Sequence, residues 1–260
     1  MSVAVQRWGR DGTRSGRDMI ASELPVALEF NGVAYAVMMV TPVDLEDFAV
    51  GFCMTEGLVE HPADIRSIEI ETQALSARLR LTINARQFAA LLRRRRAMAG
   101  FSSCGICGVE SLDDALRKVP RAGSTLRVSA AQVQQWLADL AAWQPVNAVT
   151  GGMHAAAWIH DGRLRQVRED IGRHNALDKV LGAVMRKEAA DCATGLLLVT
   201  SRASYEMVLK AAQCRIEILI AMSAPTSLAV QSAENCGMTL VAFARPGQHV
   251  VYTHAERIGG

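Results

Sequence analysis

Hydrophobic and polar positions alternate along the first part of the chain in the manner of β-strands. Residues 25–40 place apolar side chains at every second position on both sides of Asn31-Gly32. Both residues of an Asn-Gly pair tolerate the positive φ of a tight turn, so this pattern predicts a β-hairpin. Two further alternating runs, residues 67–71 and 77–83, predict two more strands.

Helical signals lie between and after these strands. Residues 41–57 offer Thr41 as an N-cap, Pro42 at the first helical position and Asp44 three residues after the cap, and they close on Gly57. This order of residues is typical of a complete helix. The spacing of apolar residues predicts a second helix over residues 87–98.

In the second half of the chain, strands and helices alternate. A short helix is predicted over 110–119, and a longer one over 129–143 begins at the N-cap Ser129 and ends before Pro145. A hairpin is predicted at 155–167 around Asp161-Gly162. Helices are then predicted at 173–187, 204–214 and 226–236, and strands at 194–201, 215–223, 238–244 and 249–254.

This order of elements predicts an α/β protein with a layered mixed sheet and helices on both faces, plus a smaller α+β N-terminal portion. We expect residues 1–22 to be disordered or loosely ordered. Residues 23–128 would form the N-terminal portion and include a cysteine loop at 101–109. Residues 129–260 would form the α/β domain, which we expect to bind a cofactor.

Composition narrows the class of protein. A net charge of +2 does not favour nucleic acid as a partner. The four arginines of residues 93–96 indicate the solvent-exposed end of a helix. The alternative interpretation is a patch that binds anions. There is no signal-peptide pattern and no apolar run long enough to span a membrane, so we expect a cytoplasmic protein without a membrane partner. Six cysteines without a secretory signal fit a reducing compartment.

Candidate chemistry begins at Cys104 and Cys107, which stand two residues apart among glycines in FSSCGICGVES. A zinc site would need about four ligands, and Ser103 stands where the Pro-Cys-x-x-Cys element of a zinc deaminase has its proline, so no metal is expected. The pair could also serve as a redox dithiol or carry sulfur as a persulfide. A helix beginning near Glu110 would favour thiolates here. The pair alone does not decide between these functions. The other four cysteines read as small buried hydrophobes.

A second concentration of polar residues spans 150–182 and includes His154, Asp170, Arg173 and His174. Packing alone does not require so many different polar side chains at one strand–helix junction. The structural interpretation is that Asp170 caps the helix and that Asp178 and Lys179 lie on its exposed face.

Taken together, these stretches resemble the formate dehydrogenase accessory sulfurtransferase family (FdhD/NarQ). The matching segments are NGVAYAVMMVTPVDLEDFAVGFCMTEGLV, SSCGICG, GGMHAAAWI, REDIGRHNALDKVLG, TSRASYEMVLKAAQ, SAPTSLAV and MTLVAFAR, in the family's order. The resemblance covers residues 23 to 254. It implies a main domain like the cytidine deaminase fold, without zinc chemistry, and a homodimer.

The resemblance also implies a mechanism. Cys104 would take the outer sulfur from a persulfide on a cysteine desulfurase, and Cys107 would share or expel it. The acceptor would be the molybdenum bis(molybdopterin guanine dinucleotide) cofactor of formate dehydrogenase. Its binding segment would be Phe243, Ala244, Arg245, Pro246, Gly247 and Gln248, with Arg173, His174, Ser201 and Arg202 lining the pocket.

Pro246 departs from the glycine that the family often has, and it removes a backbone donor. The structural alternative for this segment is a tight turn between two strands. Two other functions also stay open: a cofactor-binding chaperone for formate dehydrogenase without sulfur transfer, and a zinc-dependent hydrolase that uses Cys104, Cys107 and a histidine.

Overall fold

The computed structural model describes residues 1–10, 12–97, 120–188 and 191–260, and its strands fall into four sheets. Strands β1 to β6 are Ser2–Gly9, Gly12–Met19, Leu24–Phe30, Val33–Val40, Ile65–Thr72 and Ala77–Ile83. Strands β7 to β14 are Val128–Ser129, His154–His160, Arg163–Asp170, Leu196–Val199, Ile218–Ala221, Thr239–Arg245, Gln248–Val251 and Ile258–Gly259. Helices α1 to α7 are Leu45–Thr55, Ala85–Ala97, Ala130–Leu140, Pro145–Thr150, Arg173–Ala183, Tyr205–Gln213 and Ser227–Cys236.

The largest sheet has six strands in the order β13-β12-β11-β10-β8-β9, with parallel pairing in its centre and antiparallel pairing at both sides. Apolar residues of α5, α6 and α7 pack on one face of this sheet, and those of α3 pack on the other. The predicted mixed α/β architecture with helices on both faces is confirmed. The more specific likeness to the cytidine deaminase fold stays a prediction. Across the described ranges, no helix is both long enough and apolar enough to cross a bilayer.

A smaller sheet of four strands, in the order β4-β3-β6-β5, packs against α1 around its own hydrophobic core. The predicted hairpin is confirmed, because Asn31 and Gly32 turn with φ values of 48° and 80°. The second predicted hairpin, at Asp161 and Gly162, turns with φ values of 50° and 70°. Both turns therefore place their two central residues in the left-handed region that favours Asn, Asp and Gly.

The first 22 residues differ from the loosely ordered segment that the sequence predicts. Strands β1 and β2 pair in antiparallel register and form a separate two-stranded sheet. Most of their side chains are exposed, and Trp8 is 80% exposed. The sequence shows no clear alternation here because neither face of this hairpin is fully buried.

The two layers meet where α1 crosses α5 at very short range, and two glycines make this contact possible. A Cβ atom at Gly51 would lie 1.7 Å from the main-chain oxygen of Asp178, and one at Gly182 would lie 1.8 Å from that of Asp47. No real side chain could occupy either position without separating the helices. The two helices can therefore pack this closely only because residues 51 and 182 are glycines, which have no Cβ atom.

The predicted N-cap of α1 is wrong. The helix begins at Leu45, four residues after Thr41, and its N-cap Asp44 has a φ of 53° and no side-chain capping bond. Thr41 is instead buried against the other layer, where its main-chain N–H donates to Asp170 Oδ2 at 3.0 Å. A tertiary contact thus replaces the local capping geometry that the sequence favours. The predicted end at Gly57 is confirmed by its φ of 64°.

Two further local expectations for α5 are wrong. Asp178 and Lys179 are buried, with 1% and 0% exposure, rather than on an exposed helix face. The N-cap of α5 is Gly172, without a side-chain capping bond, so Asp170 does not cap the helix. All three charged residues are instead used in contacts between the layers. Periodicity alone could not reveal this, because charged residues are rarely buried without partners.

We predict that Gly51→Ala destabilises the protein by roughly 3 kcal/mol, since the added methyl group forces two helix backbones apart. In an isolated helix the same change would stabilise by about 1 kcal/mol, so the sign of the effect reports the crossing. Urea unfolding would measure it, with Gly9→Ala as the control because no atom lies within 4 Å of a Cβ there. Equal stability of both variants would contradict the close contact.

Candidate functional site

The predicted sulfur-bearing residues Cys104 and Cys107, with the loop 101–109 and the helix 110–119, lie outside the described residues. After this segment the chain is tightly fixed over residues 120–127. Glu217 accepts hydrogen bonds from Leu126 N at 2.7 Å and Thr125 Oγ1 at 2.9 Å, and Arg257 donates to the carbonyl oxygen of Gly123 at 2.8 Å. Glu217 immediately precedes β11, so this anchor lies where the parallel strands begin.

The opposite end of these strands collects the polar residues that the sequence singled out. Strands β10, β11 and β12 are parallel, and β9 runs in the same direction because β8 is antiparallel to both β9 and β10. We call the end at which these four strands finish the carboxyl edge. Helices α5, α6 and α7 all begin at this edge, so the positive ends of three helix dipoles face it. Such an edge favours anionic ligands.

Arg173, His174 and Glu206 meet at the first turns of α5 and α6. Glu206 Oε2 lies 3.2 Å from His174 Nε2 and 3.8 Å from an amino nitrogen of Arg173. Ser204, the residue before α6, donates its hydroxyl to the same carboxylate oxygen at 3.2 Å. The His174 imidazole lowers the pKa of Glu206, against the opposing effect of partial burial. Glu206 is therefore a carboxylate anion at neutral pH.

One nitrogen of this group has no hydrogen-bond partner. Arg173 Nε is a buried atom without one among the described residues. The buried His174 Nε2 lies 3.2 Å from Glu206 Oε2, and this contact is the main cause of the lowered pKa of Glu206. Buried donors are normally satisfied, so Arg173 Nε is an exception.

His154 completes this group from the neighbouring strand, because it begins β8 and pairs with Asp170 at the end of β9. Burial lowers the pKa of His154, and the positive charges of Arg173 and His174 lower it further. The imidazole is therefore neutral at pH 7 and could donate or accept one hydrogen bond. The GGMH segment and the DIGRHN segment thus meet at the carboxyl edge.

A buried network beneath these residues fixes the start of α5. Asp170 pairs with Lys179 at 2.7 Å, and its other oxygen accepts hydrogen bonds from Gly172 N at 2.8 Å and Asn175 Nδ2 at 3.0 Å. Lys179 also donates to the carbonyl oxygen of Thr41 at 2.9 Å. Because every member has partners, this network is a rigid support rather than a reactive centre.

A second buried pair lies between α1, α5 and α6. Lys210 contacts both carboxylate oxygens of Asp178 at 2.9 Å and Glu56 at 3.0 Å, while Thr55 donates its hydroxyl to Asp178 at 2.6 Å. Burial alone would lower the pKa of Lys210, but Asp178 and Glu56 raise it overall. The ammonium group stays charged and links the three helices.

The predicted cofactor segment, residues 243–248, lies at the far side of the same edge. It comprises the end of β12 and the turn into β13, with Arg245 paired to Gln248 and Gly247 at a φ of 83°. The alternative of a tight turn between strands is thus what the local geometry shows, and it does not exclude binding. Phe243 has a positive φ of 49° at a bulge, and Arg245 lies 5.9 Å above its ring.

All four residues that the sequence proposed as pocket lining lie at the carboxyl edge, and Arg173 and His174 both contact Glu206. Ser201 and Arg202 follow β10 at the carboxyl edge, with Ser201 buried and Arg202 exposed. Sequence reasoning did not identify Glu206. An acidic residue in the first turn of a helix is ordinary, so nothing in the sequence around Glu206 marks it as part of a site. Only its position beside Arg173 and His174 in the fold does so. The four described cysteines outside the pair are buried, as expected.

A largely parallel central sheet, with three helices that begin at its carboxyl edge and helices on both faces, defines a layered α/β protein. Within that class, the chain belongs to the FdhD/NarQ family, whose sequence model matches residues 21–259.

Its relatives include the sulfur carrier protein FdhD of Xanthomonas campestris pv. campestris (strain B100), 48% identical over 99% of this chain and 91% of the relative. The protein of the same name from Bordetella petrii is 46% identical over 99% of this chain and 92% of the relative. A crystal structure described as a formate dehydrogenase accessory protein from Desulfotalea psychrophila matches with a TM-score of 0.77 and 27% identity, over 99% of this chain and 98% of that one.

We predict that the His154 imidazole titrates below the ordinary histidine pKa of about 6.5, and that Arg173→Gln raises this pKa. The rise should be partial, because burial, the larger cause, remains. Histidine ring NMR across a pH series would measure it, with Arg163→Gln at the far end of β9 as the control. An unchanged pKa in Arg173→Gln would contradict the proposed electrostatic contact.

Proposed function

We propose that this protein is a sulfur carrier for the maturation of formate dehydrogenase. It would accept persulfide sulfur from a cysteine desulfurase and deliver it to the molybdenum bis(molybdopterin guanine dinucleotide) cofactor, which is its cargo. The observation that supports this most is the near-complete match to relatives named sulfur carrier protein FdhD. The formate dehydrogenase partner is supported by the description of the matched structure.

Cys104 and Cys107 would carry out the sulfur transfer. The Cys104 thiolate would attack the outer sulfur of the donor persulfide, forming a new S–S bond as the donor's own S–S bond breaks and its thiolate leaves. This exchange conserves electrons. The Cys107 thiolate would then take the outer sulfur in the same way, or attack Cys104 Sγ, close a disulfide and release the sulfur as hydrosulfide. In the second case the two cysteines lose the electrons that the sulfur gains.

The carboxyl edge is the part of the described structure that suits a nucleotide cargo. The helix dipoles at this edge and the guanidinium group of Arg173 suit the negative charge of a diphosphate. At its other side, Arg245 offers a planar fork for a phosphate or a guanine edge, next to the exposed turn at Gly247. We infer that residues 243–248 contact the guanosine part, and that the protein works as a homodimer.

We predict that wild-type protein gains the mass of one sulfur atom after incubation with a cysteine desulfurase and free cysteine. The gain should disappear on reduction and should be absent in Cys104→Ala, because the acceptor thiolate is missing. Intact-protein mass spectrometry would measure it. Cys214→Ala is the matched control, since that thiol is buried and burial raises its pKa to about 12.

A wild-type protein that gains no sulfur beside an active donor would contradict the carrier mechanism and favour a cofactor-binding chaperone. Sulfur transfer by Cys104→Ala at the wild-type rate would contradict the assignment of Cys104. The oxidation state of the cysteine pair after sulfur release separates the two routes, because only the second route leaves a disulfide between Cys104 and Cys107.

We predict that guanosine diphosphate binds to the full-length protein and that Arg245→Gln weakens this binding about tenfold, because a charge-assisted contact is lost. Calorimetric titration would measure the dissociation constant, with Arg163→Gln as the control on the opposite end of the sheet. Cys104→Ala should bind as the wild type does. Equal affinity of wild type and Arg245→Gln would exclude Arg245 from the site.

A further inference from the structure

Strands β1 and β2 form a two-stranded sheet, which we call the N-terminal ribbon. Among the described residues, neither strand pairs with a third strand, and neither contains a fully buried side chain. Two antiparallel strands without a core of their own are only marginally stable in water. The ribbon also ends before residue 21, so it lies outside the part of the chain that the family model matches.

The N-terminal ribbon carries an excess of positive charge. Residues 1–19 contain four of the 28 Lys and Arg residues of the chain and two of its 26 Asp and Glu residues, so the whole net charge of +2 lies in this segment. Arg7 stands directly opposite Arg14 in the register of the two strands. Like charges in this position repel each other and destabilise a sheet. An arrangement that opposes folding indicates that these arginines serve another purpose.

Only one of these two arginines has a partner in the ribbon. An amino nitrogen of Arg7 donates to the carbonyl oxygen of Arg17 at 3.2 Å and lies 3.4 Å from Asp18 Oδ1. Arg14 is exposed, and no hydrogen bond or ion pair joins it to another described residue. Its guanidinium group is therefore available to a carboxylate of another molecule, which it can bind with two parallel hydrogen bonds.

Trp8 presents a large apolar side chain on the other face of the ribbon. It stands opposite Thr13 and is 80% exposed. Trp and Arg are the residue types that most often dominate the binding energy of protein interfaces. Together with the excess of positive charge, they suit a protein partner with an acidic surface. A second copy of the ribbon has the same positive charge and would be repelled.

The base of the ribbon lies at the carboxyl edge. The Met1 amino group donates to the carbonyl oxygen of Ile20 at 3.0 Å and closes the base. A Cβ atom at Gly152 would lie 3.9 Å from that of Ala21, and Gly152 is two residues from His154, with which β8 starts at this edge. A protein that binds the ribbon therefore approaches the edge at which we place the cargo.

We propose that the N-terminal ribbon is a docking arm for the protein that receives the cargo. An extended acidic segment of that protein adds to the ribbon as a third strand, and it places an apolar side chain on Trp8 and a carboxylate on Arg14. The third strand supplies the stability that two strands lack. This inference rests on the proposed function, in which the recipient is formate dehydrogenase. The ribbon takes no part in sulfur chemistry.

Surface plasmon resonance with full-length variants and purified formate dehydrogenase that lacks its molybdenum cofactor tests the proposal. Trp8→Ala should weaken the binding about tenfold or more, because the apolar anchor is lost. The matched control Leu75→Ala removes a side chain that is 81% exposed from the turn between β5 and β6. This control should bind as the wild type does.

The role of charge is tested by the dependence of binding on salt. Arg14→Glu should weaken binding about tenfold at low ionic strength. It should also reduce the decline of the association rate with added salt, because a charge that attracts the acidic partner has been reversed. Arg14→Lys keeps the charge and should retain most of the affinity. Arg163→Glu, at the far end of β9, is the control for a change in net charge alone.

Wild-type affinity in Trp8→Ala, an equal loss in Leu75→Ala, or an equal loss in Arg163→Glu and Arg14→Glu would each overturn the proposal. Two other partners would overturn it as well. If the ribbon joins two copies of this chain, Trp8→Ala lowers the mass of the free protein measured by light scattering. If it binds nucleic acid, the ribbon variants lose affinity for a single-stranded oligonucleotide and keep their affinity for formate dehydrogenase.

Sulfur loading of Cys104, measured on the same variants, distinguishes this inference from the proposed function. If the wild type loads sulfur and all variants bind formate dehydrogenase equally, the docking arm is wrong and the carrier function stands. If the wild type loads sulfur but does not bind formate dehydrogenase, both the recipient and the arm are wrong. A loss of sulfur loading in Trp8→Ala would also overturn the inference, because the ribbon would then bind the sulfur donor. Circular dichroism confirms that each variant is folded.

Discussion

The close crossing of α1 and α5 is the contact on which both layers of this protein depend. Gly51 and Gly182 let two helix backbones touch, and the carbonyl oxygens of Asp178 and Asp47 occupy the space that side chains would need. Backbones this close leave no gap for water, so the charged side chains around them must find partners within the protein. The close packing of the two helices therefore requires that the buried charges beside them form ion pairs.

Those ion pairs connect the crossing to the carboxyl edge. On one side of the crossing Asp178 is tied to Lys210 of α6, and on the other Asp170 is tied to Lys179 and to Thr41 of the smaller layer. Removing one member of such a pair costs about 3–5 kcal/mol, because a buried charge is left alone. The first turns of α5 and α6, which present His174 and Glu206, are thus held in position from below.

The sequence predicted the elements well where local chemistry decides the structure. The Asn-Gly and Asp-Gly turns, the N-cap Ser129 and the helix end at Gly57 all depend on residues close to each other in the chain. It failed at Thr41, Asp170, Asp178 and Lys179, whose partners lie far away in sequence. A single chain read by periodicity contains no information on which distant group neutralises a charge, so burial of these residues could not be foreseen.

In the candidate site, too, the sequence revealed some residues and missed another whose partners are distant in the chain. His154, Arg173 and His174 were conspicuous in sequence because packing did not explain them, and the structure places them together at one edge of the sheet. Glu206 was inconspicuous because an acidic residue suits a first helical turn, yet its carboxylate faces Arg173 and His174 of another helix. Arg173 stands at the positive end of the α5 dipole, where a cation is unfavourable, and Glu206 of α6 supplies the opposite charge. A local rule that is broken in one helix is thus compensated from a second helix, and a pattern read along either helix alone cannot show this.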